Sequence, residues 1–283
     1  MPPPGTNPPM PSSRERALVG SLRIAACAAL LVTAGCASGP EANPPVERQP
    51  SWPTLDRVGM AAYRAAVHPA TWVPAAAALV MTADHWDRHA SNWLSTHTPI
   101  FGSQHTADTA STILDGVQGV GLLASTLATP VPSGGAWWLD KTGRVGIDVS
   151  GMALTEGLTE GLKNGTRRVR PNGEGHSSFP SGHTSFAFSL ASQTSQDLEE
   201  IAMPDAMRWS LDAADYGLAA SVGWARVEAK KHFPTDVLAG AAIGNFLGYF
   251  VHDAFLESTD ALANRISIRP KAKGVELGLA WSF

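Results

Sequence analysis

From residue 55 onward, apolar residues recur at intervals of three and four positions, the spacing of one face of an α-helix. Val237, Ala241 and Phe250 illustrate this spacing near the end of the periodic region. Clusters of Gly, Pro and Asn separate the periodic stretches. The pattern predicts helices at roughly 55–82, 84–95, 107–129, 141–163, 182–198, 204–228 and 235–257. The predicted fold class is therefore all-α, a helical bundle.

The C-terminal residues follow a different pattern. From Val275 to Phe283, apolar residues alternate with polar or small ones, the period of two that is typical of a β-strand. The stretch Arg265–Arg269 precedes a turn-forming segment, Pro270–Gly274. The sequence therefore predicts a short C-terminal β-hairpin beside the helical bundle.

The first 36 residues are predicted to be an export signal and not a part of the fold. Arg14, Arg16 and Arg23 precede the apolar run Ile24–Ala34. Positive residues before a short apolar run that ends in small residues are typical of a secretory signal. The run is too short to span a bilayer, which requires roughly 20 residues.

The signal ends in Thr33-Ala34-Gly35-Cys36, which resembles a bacterial lipoprotein signal whose cysteine is lipidated and becomes the new N-terminus. Such signals usually carry Leu at the position of Thr33, so ordinary secretion with an incidental cysteine remains an alternative. Ala37 after the cysteine resembles signals that are sorted to an outer membrane. We expect a bacterial cell-envelope protein on the periplasmic side, an outer-membrane lipoprotein in preference to an integral membrane protein.

Charge and hydropathy exclude two broad classes of protein. The chain has 21 Lys and Arg against 25 Asp and Glu, a formal net charge of −4, so it lacks the basic excess that nucleic-acid binding requires. The mean hydropathy of −0.04 argues against a bundle made mostly of membrane spans. Residues 37–54, rich in Pro and polar groups, are predicted to be a tether.

Basic and imidazole side chains concentrate in three short blocks. The first block runs from Lys163 to Arg170, where a predicted helix ends and releases its cations into a loop. In the second block, Ser181 is predicted to cap a helix, with the free backbone N–H groups of Gly182 and His183 behind it. A helix N-terminus with glycine for close approach is suited to bind an anion.

The third block contains Arg226, His232 and Asp236. Pro234 suits the first position of a helix, which places Asp236 in the first turn, where its carboxylate can reach back to His232. Taken singly, each block has an ordinary explanation as a helix cap, a helix end or a structural pair. Together, the blocks predict a site for an anion.

The three blocks resemble the motifs of the type-2 phosphatidic acid phosphatase superfamily, which includes acid phosphatases, lipid phosphatases and vanadium haloperoxidases. The matching residues, in chain order and with the motif spacing, are Lys163, Arg170, Pro171, Pro180, Ser181, Gly182, His183, Arg226, His232 and Asp236. Ala225 stands where the third motif has serine. The resemblance spans residues 163–236 and implies a helical bundle of the phosphatase and haloperoxidase type.

The resemblance also implies a role for each matching residue. Phosphate would be bound by Lys163, Arg170, Ser181, Gly182 and Arg226. His232 would attack phosphorus and form a phosphohistidine, while Asp236 holds its other ring nitrogen. His183 would protonate the leaving oxygen and then activate water. We expect no metal and no cofactor, because three cations already supply positive charge.

The sequence also contains a polar run at 84–89, in which His85 and His89 are spaced as two ligands on one helical face. No further ligand is evident, so the run is predicted to be a solvated polar start of a helix. The predicted segments of the chain are a signal over 1–36, a tether over 37–54, a helical phosphatase domain over 55–262 and a hairpin or tail over 263–283.

The expected activity is hydrolysis of a phosphomonoester, with a phosphorylated small molecule or lipid head group as the substrate. A lipid phosphate is favoured because we expect the protein to lie at a membrane, held by the N-terminal lipid or by an apolar surface. Two alternatives stay open: a vanadate-dependent haloperoxidase, and a non-catalytic envelope lipoprotein that only binds phosphate groups.

Overall fold

The computed structural model describes residues 48–83, 86–97, 99–131, 136–258, 266–271 and 274–279. In this part of the chain there are eight helices. They are α1 (Leu55–Val67), α2 (Pro69–Ala83), α3 (Trp86–His97), α4 (Gln104–Ala128), α5 (Trp137–Thr166), α6 (Gly182–Glu200), α7 (Asp205–Glu228) and α8 (Pro234–Phe255). The all-α prediction is confirmed. The predicted signal with Cys36, and residues 37–47 of the predicted tether, lie outside the described residues.

Four short strands form two antiparallel pairs: β1 (Arg48–Pro50), β2 (Leu256–Ser258), β3 (Ile266–Lys271) and β4 (Gly274–Leu279). Strands β3 and β4 pair from Ile266 opposite Leu279 to Lys271 opposite Gly274, which confirms the predicted C-terminal hairpin. Strand β1 pairs with β2 at the end of α8. The folded body therefore begins before residue 55, inside the segment that was predicted to be a tether.

The first predicted helix, 55–82, is wrong as a single element, because α1 and α2 are separated at His68. His68 is extended, with φ −65° and ψ 133°. It precedes Pro69, whose ring disfavours the helical conformation of the residue before it. Proline then starts α2, where its missing N–H costs nothing.

Helices α6 and α8 pack closely in the core. Gly240, Gly244 and Gly248 of α8 lie against the backbone and serine side chains of α6. A Cβ added at Gly240 would lie 2.8 Å from the carbonyl oxygen of Ser181, so only glycine fits there. This close approach places the N-terminus of α6, with His183, beside the N-terminus of α8, with Asp236.

Among the described residues, none of the helices alone has both the length and the apolar composition to cross a membrane. The pair Leu55–Val67 and Pro69–Thr82, bent by 55°, meets that test of length and composition when the two helices are taken together.

Candidate active site

Lys163 lies in the last turn of α5, which ends where Arg167 adopts a left-handed conformation with φ 47°. The Arg167 backbone N–H donates to the Lys163 carbonyl at 3.0 Å and closes the helix. The Lys163 ammonium lies against Gly182, since a Cβ added at Gly182 would be 2.8 Å from Nζ. The first block and the second block are therefore in contact, and glycine makes that contact possible.

Ser181 caps α6, as the sequence predicts. Its Oγ accepts the backbone N–H of Thr184 at 3.4 Å and lies 2.8 Å from the Thr184 hydroxyl. Ser181 and Gly182 are both buried. The cap places the backbone N–H groups at the start of α6 beside the Lys163 ammonium. Such an arrangement is suited to a phosphate oxygen.

Arg226, in the last turn of α7, is held by two side chains of α4. One terminal nitrogen donates to the Asp108 carboxylate and, at 3.0 Å, to the Ser111 hydroxyl. Arg170 donates at 3.0 Å to the Ser177 hydroxyl. The Nε atoms of Arg170 and Arg226 are buried and have no hydrogen-bond partner among the described residues. Because buried donors in folded proteins are nearly always paired, these two N–H groups fit an anion from solution.

His232 is buried, with 3% of its surface exposed, and one hydrogen bond fixes its tautomer. Its Nδ1 lies 2.6 Å from the carbonyl oxygen of Ser178. A carbonyl oxygen can only accept, so Nδ1 carries the proton and Nε2 keeps a free lone pair. A lone pair on Nε2 is what a nucleophilic imidazole requires.

The expected direct bond between Asp236 and His232 is replaced by an indirect one. The Asp236 Oδ2 atom lies 4.0 Å from His232 Nδ1, which is too far for a hydrogen bond. Instead, Oδ2 accepts the Ser178 hydroxyl at 2.5 Å and the Phe233 backbone N–H at 2.8 Å. The Ser178 carbonyl, not the carboxylate, therefore contacts the ring. Asp236 thus positions the residue that holds His232.

Arg168 and Asp87 complete this network, and the sequence analysis missed both. Arg168 donates to Asp236 Oδ1 at 2.6 Å, to the Thr235 hydroxyl at 2.8 Å and to Asp87. Its guanidinium also lies 4.3 Å from the centre of the Phe233 ring. Asp87 accepts the Thr235 backbone N–H at 3.0 Å. Asp87 is buried, so the interpretation of 84–89 as a solvated polar run is wrong at this residue.

The three cations act on both imidazoles. Burial and then the charge of Arg226 lower the pKa of His183, and Lys163 and Arg170 contribute to the same effect. The resulting pKa is about 4. Burial and then Arg226 also hold the pKa of His232 well below its usual range, with Arg170 and Lys163 adding to the effect. The five side chains therefore lie within electrostatic reach of one another, although they come from three separate blocks.

Helix α4 supplies a further carboxyl group beside His183. Asp115 Oδ2 lies 4.0 Å from His183 Nε2, and burial raises the pKa of Asp115 to about 8. Asp108, Ser111 and Asp115 are spaced three and four residues apart, which puts them on one face of α4. That polar face is the signal by which the sequence could have identified α4 as part of the site.

Ala225 occupies the place of the motif serine and is fully buried. It packs with Ala107 and Ala229, against which Phe101 also lies. A methyl group in contact with apolar neighbours thus stands where the motif has a hydroxyl.

Residues 146–260 match the model of the PAP2 superfamily. This segment belongs to the PAP2 superfamily. The match begins inside α5 and contains all three blocks. Helices α1 to α4 lie outside it, and with them the side chains of Asp87, Asp108 and Asp115 that hold Arg168 and Arg226 or face His183.

The chain is also similar to two individual proteins. Over 109 residues it is 36% identical to the Lipid A 1-phosphatase of Porphyromonas gingivalis, a stretch that covers 38% of this chain and 23% of that protein. The chain thus spans less than a quarter of the length of this curated relative. The solved structure of the first transmembrane PAP2 type phosphatidylglycerolphosphate phosphatase from Bacillus subtilis aligns with a TM-score of 0.48 and 21% identity, covering 64% of this chain and 90% of that chain.

In the described part of the chain, one group of side chains has the composition of a metal site. Asp197, Glu200 and His252 are buried, and one ligand atom from each lies within 4.8 Å of the others. However, an Arg48 terminal nitrogen lies 3.2 Å from His252 Nδ1 and can only donate to it. The proton of the neutral ring is therefore on Nε2, which has no lone pair to offer a metal. The group is better described as part of a buried ion-pair cluster.

Proposed function

We propose that this PAP2 protein hydrolyses phosphomonoesters of lipids through a phosphohistidine intermediate at the bacterial cell envelope. The proposal depends above all on one observation: Lys163, Arg170 and Arg226 all lower the pKa of both His183 and His232. Three cations around two imidazoles form a charge arrangement that suits a phosphoryl group.

The cations would bind the three equatorial oxygens of the phosphoryl group. Arg170 and Arg226 have buried Nε donors without partners among the described residues, and they can complete forked hydrogen bonds to oxygen. The Lys163 ammonium, from the same block as Arg170, and the Gly182 backbone N–H, from the second block, supply further donors. Ser181 keeps this N-terminus in place as the cap of α6. We call Lys163, Arg170 and Arg226, with His183 and His232, the cradle.

In the first step, the Nε2 lone pair of His232 forms a bond to phosphorus while the bond from phosphorus to the leaving oxygen breaks. The leaving alkoxide takes a proton from His183. In the second step, water attacks phosphorus, His183 accepts a proton from it, and the P–N bond breaks. Inorganic phosphate leaves and both imidazoles return to their starting states.

His183 requires a proton that its depressed pKa does not favour in the free protein. A bound phosphate offsets the positive charges of Arg226, Lys163 and Arg170, which raises the pKa of His183 toward its ordinary value. The proton can also arrive on the phosphate, whose second pKa is about 6. Substrate binding therefore prepares the acid that the first step uses.

A lipid substrate and an envelope location are supported by several features. The curated relative is a phosphatase of lipid A by name. Large apolar side chains are exposed at several places: Trp52 before α1 is 92% exposed, Leu79 on α2 is 72% exposed and Trp137 at the start of α5 is 66% exposed. The predicted signal with Cys36 supports attachment at the envelope. An apolar surface and an N-terminal lipid would both bring the cradle to its substrate.

The test is phosphate release by the full chain in detergent, with dioctanoyl phosphatidate as substrate and without added metal. We expect turnover by the unaltered chain, and a loss of roughly 1000-fold or more in kcat for His232→Ala, because the nucleophile is removed. His89→Ala, in an exposed histidine of α3, is the control and should keep full activity.

Other outcomes would support the alternatives. A chain that binds phosphate groups but releases none, both before and after His232→Ala, would be a binding lipoprotein. A chain that oxidises bromide with hydrogen peroxide once vanadate is added, and hydrolyses no phosphomonoester, would be a haloperoxidase.

A further inference from the structure

A cavity of about 450 Å³ opens beside the cradle, between α3 and the loop that follows α5. Arg170 of the cradle lines this cavity, together with Arg168 and Phe233. Arg88 and Asn92 of α3 also line it, and the remaining lining residues are Val169, Pro171 and Gly173 of the loop. One of the three cations that are proposed to bind phosphate thus forms part of the wall of this cavity.

The cationic residues of this cavity differ in what already holds them. Arg168 is bound to two carboxylates, Asp87 and Asp236. Arg88 is exposed and has no ion-pair or hydrogen-bond partner among the described residues. Arg88 therefore adds to this cavity a positive charge that is not bound to the carboxylates of Asp87 and Asp236.

Arg88 also lies at the boundary between two cavities. The second one, of about 540 Å³, is lined by Arg88 and Arg168 and by Met81 and Thr82 at the end of α2. Leu79, one turn earlier on α2, exposes 72% of its surface. Asp87 also lines this second cavity, and Arg168 donates to its carboxylate. Arg88 thus lies between the end of α2 and the cavity that contains Arg170.

We propose that Arg88, with Asn92 beside it, forms a subsite for a second anionic group on the substrate. The group would be a phosphate ester on the same lipid head group, bound in the cavity that Arg88 and Asn92 line together with Arg170 of the cradle. Arg88 and Asn92 are four residues apart on α3, so both side chains can donate from one face of the helix. A guanidinium with an adjacent amide is suited to a phosphate oxygen pair.

This inference rests on the proposed function and narrows its substrate class to lipids whose head group carries two anionic groups. Two short-chain lipids separate the cases. Dioctanoyl phosphatidate has one phosphate, whereas dioctanoyl phosphatidylglycerolphosphate has the same kind of phosphomonoester and a second, diester phosphate. The measured quantity is the ratio of kcat/KM for the second lipid to kcat/KM for the first, for the full chain in one detergent.

We expect Arg88→Gln to lower this ratio by about tenfold, since one partly solvated charged hydrogen bond is lost. Arg88→Lys should restore part of the ratio, because the charge returns without the fork. Arg64→Gln is the matched control: Arg64 is an exposed arginine in the last turn of α1 and lines neither cavity. It should leave the ratio unchanged.

Two results would overturn the inference alone. One is a ratio for Arg88→Gln within about twofold of the unaltered chain, and the other is an equal fall in both kcat/KM values, which would mean a general effect on the fold. If the unaltered chain hydrolyses neither lipid, the proposed function itself fails, and the subsite falls with it.

Discussion

Two groups of charged side chains lie at opposite ends of the helices α5, α6 and α8. At one end is the cradle, with Lys163 on α5 and His183 on α6. At the other end is a group that we call the far cluster: Arg48, Arg144, Asp197, Glu200 and His252. Because α6 rises about 1.5 Å per residue, the two groups are separated by nearly its whole length.

The two ends differ in where their negative charge lies. In the far cluster, Arg144 is bound to Glu200 at 2.7 Å, and both side chains are fully buried. In the cradle, the carboxylates that face the cations are on the rim, since Glu160 beside Lys163 is 51% exposed and Asp108 beside Arg226 is 43% exposed. At both ends, arginine N–H groups lack a hydrogen-bond partner among the described residues. In the far cluster a fully buried carboxylate, Glu200, lies beside them, whereas the carboxylates paired with the cradle cations are partly exposed.

The histidines at the two ends show that a lowered pKa does not by itself identify a nucleophile. Burial and nearby cations hold the pKa of both His232 and His252 well below the usual range. The difference is the partner of Nδ1. In His232, Nδ1 donates to the Ser178 carbonyl, so Nε2 has the lone pair. In His252, Nδ1 accepts from Arg48, so Nε2 carries the proton and faces Glu200 at 3.5 Å.

Exchanging one arginine at each end for methionine should give opposite results. Arg144→Met leaves the buried Glu200 carboxylate without its 2.7 Å partner and with only the more distant Arg48 and His252 beside it, so we expect the free energy of unfolding to fall by about 3–5 kcal/mol. Arg170→Met should lower kcat/KM by about 100-fold, since it removes a charged hydrogen bond to the phosphoryl group, and change stability by less than about 1 kcal/mol. Urea unfolding and phosphate release measure the two effects.

The double variant Arg144→Met, Glu200→Leu is the control for the far cluster. Removing both charges should recover most of the lost stability, because no unpaired charge stays buried. A fall in specific activity for Arg144→Met as large as that for Arg170→Met would contradict the division of the molecule into a structural end and a reactive end.

The parts of the structure that the sequence predicts well depend on local patterns. The cap at Ser181 and the helix start at Pro234 follow from residue types within one turn, and both are confirmed. The break at His68 was missed, because the apolar period continues across it in the sequence. The signal for this break is Pro69, because a proline disfavours the helical conformation of the residue before it.

Contacts between distant segments could not be predicted in the same way. Asp87 and Thr235 are 148 residues apart, and no period or spacing connects them. The position of Asp236 in the first turn of α8 was predicted, but its bond to Ser178 depends on how the loop before α6 packs against α8. The roles of the cradle residues stay predictions until they are tested.

Arg168 should affect the reaction through Asp236. The charge of Arg168 lowers the pKa of Asp236, which burial raises to about 6. In Arg168→Gln that pKa should rise further, so Asp236 would be protonated and would hold Ser178 and His232 less well. We expect kcat to fall by roughly tenfold at pH 8 and by more at pH 5.5, because at the lower pH the raised pKa leaves a smaller share of Asp236 ionised than in the unaltered chain.

The measurement is the pH dependence of kcat, which a merely structural role would not shift. Arg167→Gln, in the exposed neighbour, is the control and should keep the original profile. A loss of the same size at every pH would show that Arg168 acts on the fold alone. Arg168→Lys should restore the profile in part, because the charge beside Asp236 returns.

The smallest expected effect is the contribution of two carboxyl groups to the pH dependence of stability between about pH 6.5 and 8. Asp115 near the cradle and Asp197 in the far cluster have pKa values raised by burial to about 8 and about 7. The unfolded chain has already lost these protons, with pKa values near 3.9, so in this range each group makes the native state less stable as the pH increases. The histidines with lowered pKa values act in the opposite direction up to about pH 7.5, because near pH 6.5 about half of them are still protonated in the unfolded chain. The contribution of the carboxyl groups is therefore measured as the difference between the unaltered chain and its amide variants.

The two ends can be separated by amide substitutions. Asp115→Asn should remove the part of the decrease that continues to about pH 8, whereas Asp197→Asn should remove only the part that ends near pH 7. Urea unfolding at half-unit steps of pH measures both. The same pH dependence in the unaltered chain and in both amide variants would mean that neither carboxyl group is protonated in the native state, and that the negative charge at both ends is already present at neutral pH.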